Sequence, residues 1–283
     1  MSERLADIDA RIDAMRQLGA VVNAMRGIAA ARAQQARSQL AAVDGYAAII
    51  AAGIARMLAP LAPARFEEGG DTAGRALVVF CAEQGFAGAF SERVLDAVAG
   101  DLSGAALFLV GTRGRTIAAE RGLRPDWTQP MPAHTPGIPR LADRLAQALY
   151  GGMGSGGFER VDAAYSAWQP GRGIEVERRR LLPPDPSAFA AAAAVDAPLS
   201  NLDSDQLLAD LIAENLHARL CNAALHAFAA ENEARMEAMA SAHEQIGRRL
   251  ADLDATRRQV RQEDITAEIV ELAAGERAGH EGD

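Results

Sequence analysis

From Leu5 the apolar positions run Leu5, Ile8, Ile12, Met15, Leu18, Val22, Met25 and Ala29. Steps of three and four residues alternate, which is the seam of a helix that packs lengthwise on another helix. The seam continues less sharply through Ala36, Leu40, Val43, Ala47, Ile50, Ile54 and Met57, until Pro60 and Pro63 stop it. Ser2 stands where an N-cap is expected. At 1.5 Å per residue such a helix is roughly 80 Å long, too long for the surface of a small domain.

The middle of the chain changes period. ALVVFCA at 76–82 and AALFLVG at 105–111 are short apolar runs bounded by turn residues, so they predict buried strands. SERVLDAVAG predicts a helix capped by Ser91, and PRLADRLAQALY a second helix. FERVDAAYSAW and GIEVERRRLLP predict two more strands, the second at an edge, where Arg178, Arg179 and Arg180 block edge-to-edge pairing. This order predicts a small, Rossmann-like α/β domain with a largely parallel sheet.

Beyond the prolines at 183, 184, 186 and 198 the helical pattern returns. Asp203 with Gln206 resembles a capping box. Leu208, Ile212, Leu216, Leu220, Ala223 and Ala227 form a stripe, no proline follows, and Gly275 offers a stop. This helix is roughly 100 Å long. Ala, Leu and Met at both seams predict that the two long helices form an antiparallel coiled coil with the α/β domain inserted between them. The expected division is an N-terminal coiled-coil helix at 1–60, the α/β domain at 75–182, a C-terminal coiled-coil helix at 200–275 and a flexible tail at 276–283. Paired outward from the inserted domain, the second helix outruns the first by several turns. The overhang is RQEDITAEIVELAAG at 261–275. Acidic side chains near a helix C-terminus oppose its dipole, so the tip with Glu268 and Glu271 is either a solvated end or one shaped to touch something.

Composition narrows the chemistry. All 29 basic residues are Arg, which removes Schiff-base lysines, pyridoxal phosphate attachment and the P-loop lysine. A net charge of -9 argues against non-specific binding to nucleic acid. Cys81 and Cys221 lie far apart and read as buried free thiols of a reducing compartment. The N-terminus has no apolar core of a secretory signal. AAIIAAGIARMLAPLAP ends at prolines and holds Arg56, so no apolar run reads as long enough to span a bilayer. The chain reads as soluble and cytoplasmic, tied to a membrane only through a partner.

Site motifs are sparse. EQGFAGAF follows the first strand, where a phosphate loop would lie, but lacks the G-x-G-x-x-G spacing and reads as a tight turn. GTRGR offers Arg113 and Arg115 to an anion, and GGMGSGG at 151–157 reads as a mobile connection. The five histidines, His134, His217, His226, His243 and His280, have no metal-ligand spacing. Nothing assembles a nucleophile, base and oxyanion hole, so no catalytic, cofactor or metal residue is assigned.

The two ends together carry a family likeness. RIDAMRQLGAVVNAMRGIAAARAQQA holds Arg11-Ile12, Ala24-Met25 and Ile28-Ala29-Ala30-Ala31, with Arg32 at a position usually lysine. AENEARMEAM at 230–239 and RQEDITAEIVELAAG, with Arg261, Gln262, Ile265, Thr266, Glu268 and Ile269, match two C-terminal motifs. In these residues the chain resembles the gamma subunit of F-type ATP synthases. AEQGFAGAFS is a weaker likeness to that family's central turn, keeping Gly85 and Gly88, and marks a divergent member. The resemblance implies a central rotor shaft inside a ring of alpha and beta subunits, touching the epsilon subunit and the c-ring, at the cytoplasmic face of a bacterial plasma membrane. Nucleotide chemistry then belongs to the ring, and this chain needs no cofactor of its own. Residues expected to meet the ring are Met25, Arg32, Arg235, Arg261, Gln262, Thr266 and Glu268, with Ile265, Ile269 and Leu272 as a bearing stripe. A non-rotary coiled-coil adaptor and a small-molecule enzyme built on the α/β domain are the alternatives.

Overall fold

A computed structural model of the chain describes residues 3–58, 74–184 and 203–280. Ser2, Pro60 and Pro63, expected to bound the first helix, lie outside these residues. Two long helices, α1 (Glu3–Leu58) and α5 (Ser204–His280), enclose in sequence β1 (Arg75–Phe80), α2 (Phe90–Val98), β2 (Ala105–Val110), α3 (Thr112–Glu120), β3 (Trp127–Gln129), α4 (Ile138–Gly154), β4 (Arg160–Gln169) and β5 (Gly173–Leu182). The chain divides into two compact units, Ala29–Arg235 and the two chain ends, Met1–Ile28 with Met236–Asp283.

In the unit of the chain ends, α1 and α5 run antiparallel. Ile8, Ile12 and Val260 are buried against Leu5, Leu250 and Leu253. Val22, Met239 and Ile246 are buried against Met25, Ala242 and Leu250. The seam differs from the expected one at a single slot. Leu18 is 48 % exposed, and Gly19 is buried in its place. A Cβ at Gly19 would lie 3.4 Å from Cγ2 of Ile246, so the missing side chain lets the helices close on that isoleucine. Asp9–Arg257 and Arg4–Glu263 fringe the seam at 3.4 and 3.6 Å, exposed enough to contribute little.

The larger unit is built on a five-stranded sheet of order β3-β2-β1-β4-β5. Three pairings are parallel and β4–β5 is antiparallel, so β5 is the expected edge strand. One face of the sheet, with Val78, Phe80, Phe108, Val110, Ala163 and Tyr165, packs on α4 and α5. The other, with Leu77, Val79, Cys81, Leu107 and Leu109, packs on α2 and α3. Burial on both faces accounts for the continuous apolar runs of β1 and β2. Within this unit α1 again runs antiparallel to α5, with Ile50, Ile54 and Ala55 on Ala218. Polar fastenings join them from Asp44 to Asn222 (2.6 Å), from Tyr46 to Glu214 (2.7 Å) and from Arg37 to Glu233 (3.2 Å).

Several expectations need correction. Ser91 does not cap α2; it is buried, and its Oγ accepts the Ala82 N–H at 3.0 Å. Gly151, Gly152 and Gly154 belong to the last turn of α4 rather than to a connection. Asp203 does cap α5, accepting the N–H groups of Asp205 and Gln206, but Gln206 turns to Asp210 instead of completing the box. α5 runs through Gly275 and Gly279 to His280, because each glycine costs a helix only about 1 kcal/mol and the residues between them are good helix formers. The tail expected from 276 is therefore helical as far as 280. Finally, α1 between Arg4 and Met57 contains a stretch long and apolar enough, by length and composition, to cross a membrane. Arg56 stands only in the last turn of that helix, whereas its alanine-rich body carries the apolar average.

Candidate functional site

The residues singled out from the sequence fall in three places. The first is the end of α5. Val260 is 2 % exposed and is the last buried residue among the described ones, and Glu263 makes the last described pairing with α1. From 261 to 272 every side chain is exposed except half-buried Asp264. Among them are four large apolar groups: Ile265 (51 %), Ile269 (60 %), Val270 (61 %) and Leu272 (73 %).

These four do not share one face. At about 100° per residue, Ala267 lies roughly 20° and Val270 roughly 80° from Val260, while Ile265, Ile269 and Leu272 point roughly 120–180° away from it. Gln259, Gln262, Glu263 and Thr266 join Ala267 and Val270 in a shallow groove on the seam side. Arg261 and Glu268 flank the opposite stripe on one side, Gln262 and Thr266 on the other. Thr266 is partly committed already, its hydroxyl donating to Gln262 O at 2.8 Å. The tip is thus apolar on two opposed sides, with polar groups between them.

The second place is Met25, half-buried in the seam against Val22, Met239 and Ile246. The third lies in the larger unit, where Arg32 and Arg235 line one small pocket with Glu83, Gln84, Glu231 and Asn232. Arg235 was expected to face a partner. Instead it is 6 % exposed and spent within its own chain. Its Nε donates to Gly85 O (3.2 Å), one Nη to Asn232 Oδ1 (3.1 Å), and the other to Gln84 O (3.3 Å) and to the Glu231 carboxylate. Glu231 in turn accepts the N–H groups of Glu83 (3.1 Å) and Gln84 (3.2 Å).

Glu83 and Glu231 are the organising carboxylates of this pocket, a role that the sequence pattern does not show. Glu231 and Arg235 at i, i+4 look like an ordinary solvated pair, although Ala230 and Ala234 beside them hint at a packed face. Glu83 also answers the question of the phosphate loop. Its carboxylate accepts the Thr112 N–H (2.9 Å), the Thr112 hydroxyl (2.7 Å) and the Met131 N–H (2.8 Å). A helix start at a strand end attracts anions, and here the chain's own carboxylate occupies the start of α3. The glycines of GTRGR serve packing: a Cβ on Gly114 would fall 2.0 Å from the Cβ of Cys81. Arg113 and Arg115 are exposed alongside.

No group of three or more His, Cys, Asp and Glu able to hold a metal occurs among the described residues. Burial pushes the thiols of Cys81 and Cys221 up to about 12, which keeps both protonated and unreactive at neutral pH.

Comparison with known proteins agrees with this architecture. The sequence profile of the ATP synthase family matches residues 4–278. The ATP synthase gamma chain of Anaeromyxobacter dehalogenans is 28 % identical, with 97 % of this chain and 99 % of the relative covered. That of Rhizorhabdus wittichii is 24 % identical over the same shares, 97 % and 99 %. A chain of the mitochondrial ATP synthase of Euglena gracilis has a similar fold, with a TM-score of 0.68 at 14 % identity, covering 99 % of this chain and 95 % of its own. Profile and relatives agree over nearly the whole length, and the chain belongs to the ATP synthase gamma-chain family.

Proposed function

We propose that this chain is the central-stalk rotor of an F-type ATP synthase. It turns with a membrane c-ring and forces the nucleotide sites of an alpha–beta ring through successive conformations. The observation that carries this reading is the tip of α5, exposed and apolar on two opposed sides. A helix that docks on one partner surface needs one apolar face. A helix that turns inside a collar meets apolar walls on every side and profits from two. Each large apolar side chain covered by such a collar stabilises the assembly by up to about 1.5–3 kcal/mol.

Ile265, Ile269 and Leu272 form the bearing on the outer side and Val270 on the seam side. Arg261, Gln262, Thr266 and Glu268 supply the asymmetric polar contacts that make each orientation of the shaft distinct to its neighbours. Met25 and Arg32 extend this contact set along α1. Hydrolysis and synthesis take place on the ring subunits, and this chain contributes no catalytic group. Its place is peripheral, on the cytoplasmic face of a bacterial plasma membrane, held there by the epsilon subunit and the c-ring.

The test is truncation after Val260. The α/β domain and the seam should remain folded, while assembly with alpha and beta subunits weakens or hydrolysis ceases to drive ion pumping. A truncated chain that assembles and couples as well as the full one would show that the tip is not the contact. A full chain that never co-purifies with alpha and beta subunits would favour the non-rotary adaptor.

A further inference from the structure

Resting on the rotor reading, we propose that the Glu231–Arg235 pair is the joint that passes twist between α5 and the α/β domain. Most of the contact between them is apolar: Leu216, Leu220, Ala223, Ala224 and Ala227 of α5 lie in one cluster with Val78, Ala163 and Tyr165 of the sheet. Such contact resists separation, but it is non-directional and opposes sliding or rolling only weakly.

Apart from His217, which meets Asp143 (3.1 Å) and Pro139 O (3.3 Å) of α4, and the stack of His226 on Tyr165, the directional contact is concentrated on three residues of the β1–α2 turn. Glu231 holds two successive N–H groups, of Glu83 and Gln84, and Arg235 holds two successive carbonyls, of Gln84 and Gly85. The turn is therefore gripped through its backbone by both an acceptor and a donor, and neither grip depends on the side chains of the turn. On the far side Glu83 ties the same segment to Thr112 and Met131, beyond the ends of β2 and β3. A continuous line of charge-assisted bonds thus runs from α5 to three strand ends. Phe86, next in the turn, sits at φ 62, a left-handed conformation that an aromatic residue adopts only under constraint.

The pair is buried, with side-chain exposures of 7 % for Arg235 and 4 % for Glu231. The attraction of the two charges is largely offset by their desolvation, so an apolar pair of similar volume would forgo little beyond the bonds to the turn's backbone. What it would not supply is direction. Bonds with fixed angles in a dry site resist rotation of α5 against the turn, and that resistance is the property a shaft requires where a side domain is attached.

The experiment uses the assembled rotary complex and the double substitution Glu231→Leu with Arg235→Met, which removes both charges and keeps the volume. The variant should assemble and hydrolyse ATP at a rate within twofold of the parent. A probe attached to the α/β domain should show torsional stiffness reduced at least twofold, and ions pumped per ATP should fall. Equal stiffness and equal coupling in a folded variant would reduce the pair to packing and overturn the proposal. Hydrogen exchange on the unaltered complex decides the matter even if the variant does not fold. The amides of Glu83 and Gln84 should exchange as slowly as those of β1, and exchange within tenfold of an unstructured peptide would refute the grip. Failure of the rotor reading has its own signature, because the unaltered complex would then show no ATP-driven rotation at all.

Discussion

Replacing Glu83 with Ala isolates the carboxylate that fills the start of α3. Three hydrogen bonds disappear together. The two to Thr112 lie at the surface, so solvent replaces them in part and each is worth about 0.5–1 kcal/mol. The third matters more, because Met131 is only 3 % exposed and its N–H loses its acceptor, a cost of about 1–3 kcal/mol. Loss of a negative charge at a helix start adds about 0.3–1 kcal/mol. The expected destabilisation is therefore about 2–6 kcal/mol, a large part of the stability of an ordinary domain. Both tryptophans, Trp127 in β3 and Trp168 in β4, belong to the larger unit, so urea unfolding followed by their fluorescence reports that unit alone. The midpoint should fall at constant slope. Glu83→Gln should recover about half, since an amide accepts through one oxygen and turns its NH2 against a backbone donor. A loss below about 0.5 kcal/mol for Glu83→Ala, with Gln no different, would mean that water replaces the carboxylate freely and that the start of α3 is not plugged.

Ile12 is 1 % exposed in the seam of the chain ends, so Ile12→Ala should cost about 2–5 kcal/mol there. Hydrogen exchange should quicken across 3–28 and 236–263, while the tryptophan-reported midpoint of the larger unit stays put. His226, stacked on Tyr165 at 5.7 Å, has its pKa lowered below 6.5, first by burial and further by Arg179, against the opposing pull of Glu177 and Asp44. Its folded form prefers the neutral ring, so the stability it supports is present above 6.5 and lost as the pH falls. His226→Phe should flatten the acid limb of a stability–pH curve measured between 4 and 7, and an unchanged limb would assign acid sensitivity to other groups.

The long helices were legible because three-and-four spacing repeated over many turns seldom arises except in a long packed helix. What the spacing missed at Leu18 was a glycine in a seam slot, for a pattern of apolar letters has no symbol for absent volume. α3 was illegible for a related reason. TRGRTIAAE buries only Gly114, Ile117 and Ala118, and its start is fixed by Glu83, far away in sequence. β3 is three half-buried residues long, too short for any period to appear. Ser91 shows the converse error. A hydroxyl before an amphipathic run is a sound capping signal, but whether it turns toward its own helix or toward a strand end is decided by tertiary packing. The same holds for Arg235, whose burial depends on a turn 150 residues away.

The charges of the tip change their meaning once the full length of α5 is known. Glu268 and Glu271 invite a functional reading only if the helix stops at Gly275, where they would oppose its dipole. The helix continues to His280, which places Glu268 about three turns from the end. The dipole acts only within the last turn or so, so neither carboxylate carries a penalty that calls for compensation outside the chain. The apolar side chains alone then call for a partner, and they do so more strongly. A solvated helix end gains nothing from leaving Ile265, Ile269, Val270 and Leu272 more than half exposed, and Ser, Glu or Gln at those positions would form the helix with less risk of aggregation. Their distribution is also informative. If the tip merely prolonged the coiled coil toward a third helix, only the side of Val260, Ala267 and Val270 would need to be apolar. The stripe of Ile265, Ile269 and Leu272 faces the other way, and a surrounding collar is the arrangement that uses both.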